Sequence, residues 1–193
     1  MRITGGLYRG RILGSPKDRA VRPTSDKVRA AVFNILNARG LVRGAAVLDA
    51  FCGTGALGLE ALSWGASSCV FMDKSRASLE LCRQNHAVLK VEAPCFFALK
   101  DAAKPGSLPE TAPPADLVFL DPPYELGLVE AALPALHQGG WIAQEAHILV
   151  ESEKSFSPAK LHASGYGVLL ERDYGDTRIF LLGRTGEMNE RAE

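Results

Sequence analysis

Between Ser25 and Gly40 the apolar positions Val28, Ala31, Val32, Ile35 and Leu36 recur at helical spacing, which predicts a helix with one buried face. Thr24 or Ser25 can cap it, Asp26 sits in the first turn where the helix dipole favours an anion, and Gly40 ends it. Ahead of it, residues 2–13 are rich in glycine and β-formers and read as a short twisted hairpin with Arg2, Arg9 and Arg11 projecting. From Ala45 onward the pattern alternates. Strand Ala46–Asp49 leads through a glycine-rich turn into helix Ala56–Trp64, and strand Cys69–Met72 into helix Ser75–Leu89. Strand Cys95–Leu99 precedes a Pro-rich loop reaching Ala115, to which the sequence assigns no role. Strand Leu117–Leu120 runs into Asp121-Pro122-Pro123-Tyr124. A helix over about Leu128–His137, kinked or shortened by Pro134, precedes strand His147–Glu151. Two final apolar runs, Gly167–Glu171 and Arg178–Leu182, flank Asp173-Tyr174-Gly175-Asp176 and predict a hairpin, with a polar tail from Arg184.

Repeated strand–helix units imply an α/β fold, a mostly parallel sheet with helices on both faces. Ligands of such sheets bind beyond the carboxyl ends of the strands, where the strand order reverses. Each loop after a strand is therefore a candidate wall of the site. With 193 residues the chain is long enough for a real core, and 47% apolar and 23% charged residues are ordinary globular values that exclude disorder of the whole chain. No apolar run approaches the ~20 residues that span a bilayer, and the start of the sequence lacks an apolar signal segment, so a cytoplasmic protein is expected. Cys52, Cys69, Cys82 and Cys95 are widely spaced, which argues for reduced thiols over a disulfide framework or a zinc site. His86, His137, His147 and His162 have no metal spacing, and no metal is expected.

The neutral total charge hides a division. Residues 1–43 hold ten Lys/Arg against two acids, Asp18 and Asp26, for +8, and residues 44–193 carry the balancing −8. A basic arm on an acidic body suggests a polyanionic partner, with Arg2, Arg9, Arg11, Arg22 and Arg29 as the candidate contacts; a solvated basic face is the alternative.

Three acids and a glycine loop carry the chemistry. Gly53-Thr54-Gly55-Ala56-Leu57-Gly58 is a G-x-G-x-x-G between a strand and a helix, with Asp73 twenty residues past Gly53. Alone, that matches a dinucleotide fingerprint. Asp49, at the end of the first strand, would repel a pyrophosphate but suits an ammonium group, and Asp101 beyond the third strand could receive an adenine amino group. Acids after strands one, two and three describe a pocket for a nucleoside with a cationic tail, as in S-adenosylmethionine. In Asp121-Pro122-Pro123-Tyr124 the prolines remove two backbone donors and stiffen the turn. An acid and a carbonyl there could grip both hydrogens of a planar NH2 group while Tyr124 stacks on its ring, which is what methylation of an exocyclic amine requires.

The Asp-Pro-Pro-Tyr signature with the Asp49…Gly58 loop resembles class I S-adenosylmethionine-dependent amino-methyltransferases. Arg2-Ile-Thr-Gly-Gly, Arg22-Pro-Thr-Ser-Asp-Lys-Val-Arg29, Gly55-Ala-Leu-Gly-Leu-Glu-Ala-Leu62, Phe119 through Tyr124 and Tyr174-Gly-Asp-Thr177 extend the likeness over nearly all of residues 1–183. In these the chain resembles the bacterial 16S rRNA (guanine(966)-N(2))-methyltransferase family. The resemblance implies a Rossmann-like class I methyltransferase fold, with a seven-stranded sheet whose last strand is antiparallel. It implies an RNA-binding extension over 1–43, a methyltransferase domain over 44–183 and a polar tail over 184–193. Asp49, Ala50, Phe51, Cys52, Gly53, Gly55, Asp73, Lys74, Asp101 and Ala102 are then expected to line the cofactor site, with S-adenosylhomocysteine as product. Asp121, Pro122, Pro123 and Tyr124 are expected to hold the guanine, in 16S rRNA of the small subunit or an assembly intermediate, and the enzyme to act as a monomer. Cys52 and Thr54 depart mildly from relatives that often carry Ala and Ser there. Three other readings stay open. The same chemistry could serve adenine N6 in DNA or a protein glutamine. The glycine loop could belong to a nicotinamide-dependent oxidoreductase, or the chain could be a non-catalytic RNA-binding module.

Overall fold

The structure is a computed structural model that describes residues 1–15, 25–123, 127–154, 156–157 and 165–184. Its elements are α1 (Asp26–Ala38), β1 (Ala46–Asp49), α2 (Ala56–Ser63), β2 (Ser68–Asp73), α3 (Arg76–Leu89), β3 (Cys95–Leu99), β4 (Ala115–Leu120), α4 (Leu128–Gln138), β5 (Ile142–Glu153), β6 (Tyr166–Tyr174) and β7 (Thr177–Arg184). Seven strands form one sheet in the order β3-β2-β1-β4-β5-β7-β6. β1 to β5 pair in parallel, and β7 runs antiparallel to both β5 and β6. This is the class I methyltransferase sheet with its last strand reversed, as expected. The order reverses between β1 and β4, so the switch point lies where Asp49 and Asp121 leave their strands.

Residues alternate along β1 between two cores. Val47 joins Phe33, Leu36, Leu59, Phe71 and Leu79 beneath α1, α2 and α3, whereas Leu48 joins Val70, Val118, Leu133 and Trp141 beneath α4. α4 runs through Pro134 to Gln138, one residue past the expected end, so the proline does not shorten it. Part of the second face is covered without a helix. The segment between β3 and β4 contributes Ala102 and Ala112 to that core, and it is pinned where Lys100 donates to the Pro105 carbonyl at 2.6 Å, Trp141 Nε1 to the Gly106 carbonyl at 2.8 Å and Leu108 N–H to the Gly139 carbonyl at 2.8 Å. The Pro-rich stretch therefore takes the place of a crossover helix. β5 starts five residues earlier than the sequence pattern suggests, because exposed Gln144 and Glu145 hide a segment that pairs irregularly with β4.

The N-terminal segment is a closed loop with a single antiparallel bridge, Arg2 to Ile12, in place of a regular hairpin. Ile3 and Leu13 insert into the core shared with α1 and α2, so the basic residues ride on an anchored base. Ser25 and Ser75 accept the cap hydrogen bonds of α1 and α3 from Val28 N–H and Ser78 N–H. The expected tail from Arg184 lies almost wholly outside the described residues. Among the described residues, no helix is long and apolar enough to cross a membrane.

Candidate active site

Strand register brings the acids to one edge. Asp49 stands level with Phe71 of β2 and Phe119 of β4, so Asp73 and Asp121 lie two residues farther along their own strands. The chain leaving β1 continues the ladder, with Ala50 N–H donating to Phe119 O at 3.1 Å and Cys52 N–H to Met72 O at 3.0 Å. It then turns through Gly53 (φ 51°) and Gly55 (φ 79°) into α2. The two glycines serve different ends. A Cβ on Gly55 would lie 2.4 Å from Cys82 Sγ, so this position is closed by the protein itself. A Cβ on Gly53 would meet only the Phe51 carbonyl at 4.0 Å, so its outer side is open for a ligand to approach the backbone.

Both acids of the cradle hold this turn. Asp49 is buried and its Oδ2 accepts the Gly58 N–H at 2.9 Å. Burial pushes its carboxyl up to about 7; the Gly58 hydrogen bond pulls the other way and the charge of Asp73 adds to the rise. Asp73 accepts the Gly53 N–H at 2.9 Å through Oδ2 and the Ser75 N–H at 2.8 Å through Oδ1. A carboxylate offers about four acceptor sites, so Asp73 keeps capacity for hydroxyl donors while it fixes the loop. Beyond β3, Asp101 is exposed and accepts the Ala103 N–H at 2.9 Å, and Ala102 is buried. Lys74 is exposed beside Asp73, and Phe51 is half-buried. The Cys52 thiol is hydrogen-bonded to Cys82 and buried, which pushes it well up and keeps it protonated. No group of three or more His, Cys, Asp or Glu among the described residues could hold a metal.

Across the switch point, Asp121 and Pro122 are half-buried and Pro123 is exposed. Tyr124 and Arg22 lie outside the described residues. Arg2, Arg9 and Arg11 are exposed on the N-terminal segment, as expected. Arg29 corrects the sequence reading. It is fully buried, its Nε donates to Glu60 at 3.0 Å and its Nη2 to Asp26 at 2.8 Å and to the Arg2 carbonyl. Such an arginine cannot reach phosphate. The partner that the sequence reading missed is Glu60, which also accepts from Thr4 N–H, Thr4 Oγ1, Gly5 N–H and Trp64 Nε1. An acid alone in the otherwise apolar Ala56–Leu62 run was the available signal.

The conserved hypothetical protein 95 family model matches residues 1–183. The chain belongs to this family. The ribosomal RNA small subunit methyltransferase D of Escherichia coli K12 is 39% identical over 153 residues, covering 79% of this chain and 75% of that protein. The protein of the same name from Haemophilus influenzae is 35% identical over 159 residues, covering 80% and 79%. The solved structure of Escherichia coli yhhF superposes with a TM-score of 0.76 at 35% identity, covering 95% of this chain and 97% of that one.

A Gly53→Ala substitution separates cradle from scaffold. The new methyl enters open space, so the unliganded melting temperature should fall only by what a left-handed alanine costs, about 1–2 kcal/mol. If the ligand approaches the backbone on this open side, affinity for S-adenosylhomocysteine should fall at least about tenfold, because the methyl would take that space. Calorimetric titration and a melting curve check both; unchanged affinity would place the ligand elsewhere.

Proposed function

We propose that this chain transfers a methyl group from S-adenosylmethionine to the exocyclic N2 of a guanine in 16S rRNA of the small ribosomal subunit. The observation that carries the proposal is the juxtaposition at the switch point. A glycine turn open at Gly53 and backed by Asp49 and Asp73 leaves β1, and the Asp121-Pro122-Pro123 corner leaves the adjacent strand β4. Curated relatives named as small-subunit ribosomal RNA methyltransferases support the substrate class.

S-adenosylmethionine supplies an electrophilic methyl group on a sulfonium. The fit rests on acids for its hydroxyl and ammonium groups and on the open side of Gly53. In this reading Asp73 takes the ribose hydroxyls, Asp49 faces the ammonium end, and Asp101 with Ala102 borders the adenine. Phe51 and Lys74 line the rim. The guanine is turned out of its stack to expose N2 on every side. Asp121 and the Pro122 carbonyl accept the two N2 hydrogens and aim the lone pair, Pro123 stiffens the corner, and Tyr124 stacks on the ring. Arg2, Arg9 and Arg11, with Arg22, meet RNA phosphates, and the protein works as a monomer.

The test adds labelled S-adenosylmethionine to undermethylated small subunits. Label in N2-methylguanine of 16S rRNA supports the proposal; label confined to adenine, DNA or protein glutamine would overturn it.

The raised carboxyl of Asp49 makes a pH signature. The folded chain keeps a proton that the unfolded chain, with a carboxyl near 4, has already lost, so this group's stabilising contribution is lost as pH rises from about 4 to about 7. A cation beside Asp49 favours its charged form. Binding of S-adenosylhomocysteine should therefore release a proton and tighten between about pH 6 and about pH 7.5. Asp49→Asn should flatten that rise; calorimetry in buffers of different ionisation enthalpy reads both, and a pH-independent affinity in the parent chain would contradict the assignment.

A further inference from the structure

Asn85 lies on α3, is only 2% exposed, and joins two segments distant in sequence. Its Nδ2 donates to the Thr54 carbonyl at 2.9 Å and to the Gly14 carbonyl at 3.2 Å, and its Oδ1 accepts the Gly14 N–H at 2.7 Å. Both amide hydrogens are thus spent, one on each segment. Thr54 stands between the two left-handed glycines of the cofactor turn, and the next peptide nitrogen, Gly55 N–H, closes that turn on the Cys52 carbonyl at 2.6 Å. Gly14 follows Leu13, whose N–H closes on the Met1 carbonyl the N-terminal loop that displays Arg2, Arg9 and Arg11. A second contact links the same partners: Thr54 Oγ1 lies 3.8 Å from Met1 Sδ, and Leu13 N–H donates to the Met1 carbonyl at 3.0 Å.

We propose that Asn85 is a positioning residue that couples the N-terminal basic loop to the cofactor turn, so that ordering either one favours the other. The two Gly14 bonds fix the plane of the amide and aim its second N–H at the Thr54 carbonyl, so release of either segment frees the amide to turn and loosens its hold on the other. Coupling of this kind is reciprocal. Cofactor binding at the glycine turn holds the Gly14 end of the basic loop, and a polyanion on the loop holds the cofactor turn. The RNA half of that statement rests on the proposed function. The cofactor half needs only S-adenosylhomocysteine, and failure there would leave the rRNA assignment standing.

The experiment is amide hydrogen exchange on the full chain, with and without saturating S-adenosylhomocysteine. In the parent protein the ligand should slow exchange in the turn around 51–58 and also at residues 10–15, which lie outside the cradle. Asn85→Leu removes all three bonds. Asn85→Asp keeps an acceptor for Gly14 N–H but sets an oxygen against the Thr54 and Gly14 carbonyls. In either variant that melts cooperatively, the ligand should still protect 51–58, the protection at 10–15 should vanish, and the ligand's Kd should rise roughly 5–50-fold. A residue that merely filled space would weaken folding and leave the ligand's effect on 10–15 intact. Absence of any ligand effect at 10–15 in the parent protein, or its persistence in the Asp variant, would overturn the proposal, and the first of these needs no variant to fold.

Discussion

Asp121→Ala should reduce methyl transfer to small subunits by about 10²–10³-fold while leaving the S-adenosylhomocysteine-induced rise in melting temperature within about 1 °C of the parent's. The separation follows from the topology. Asp121 leaves β4, whereas the turn proposed to cradle the cofactor leaves β1 and is held by Asp49 and Asp73 from β1 and β2. In the proposed role the carboxylate accepts one N2 hydrogen bond, whereas the turn's bonds at Gly53 and Gly58 go to Asp73 and Asp49. An exocyclic amine is a weak nucleophile because its lone pair is spread into the ring, so orientation is most of what the protein contributes. Asp121→Asn keeps one oxygen acceptor and should fall between the two. A kcat unchanged within about threefold in the Ala variant would remove Asp121 from the reaction; loss of cofactor binding would assign it to the wrong ligand.

The largest stability effect should come from Glu60→Ala. Arg29 and Glu60 are both fully buried, and their Nε–Oε2 separation is 3.0 Å. Deleting one partner of a buried pair costs about 3–5 kcal/mol when the other is left without compensation; Asp26 still faces Arg29 Nη2 at 2.8 Å, so the pair itself accounts for the lower end of that range. Here the loss also orphans Thr4 N–H, Gly5 N–H and Trp64 Nε1. For a chain of this length each kcal/mol is worth about 2–4 °C, so the melting temperature should drop by roughly 10 °C or more. The N-terminal loop is anchored through Glu60, so limited proteolysis should then cut first within residues 1–15. A drop below about 2 °C would show that the loop is held by its apolar anchors, Ile3 and Leu13, and not by this carboxylate.

The same pair marks where sequence reasoning reached its limit. Arg29 sits in a basic stretch and reads as a phosphate contact, because its nearby acid, Asp26, is an ordinary i,i+3 surface partner that gives no sign of a buried guanidinium. Its buried partner is 31 residues away on another helix, and that pairing exists only once α1 and α2 pack. Local signals fared better. Ser25, one of the two candidates for the cap of α1, does cap it, the glycine turn fell between β1 and α2, and the strand–helix alternation carried the sheet. The irregular start of β5 was hidden by two exposed polar residues, and the Pro-rich 105–114 stretch packs through backbone carbonyls that have no side-chain signature. Asn85 was equally invisible, since one amide on a helix says nothing of the two loops it joins.

The most direct test of the central claim is to map modified nucleotides, by mass spectrometry of nuclease fragments, in 16S rRNA from cells lacking this chain and from the same cells carrying it or its Asp121→Ala form. The account predicts that one guanine loses its N2-methyl group without the chain, regains it with the intact chain and stays bare with the variant. An unchanged set of N2-methylguanines in the deleted cells, or full restoration by the variant, would contradict it.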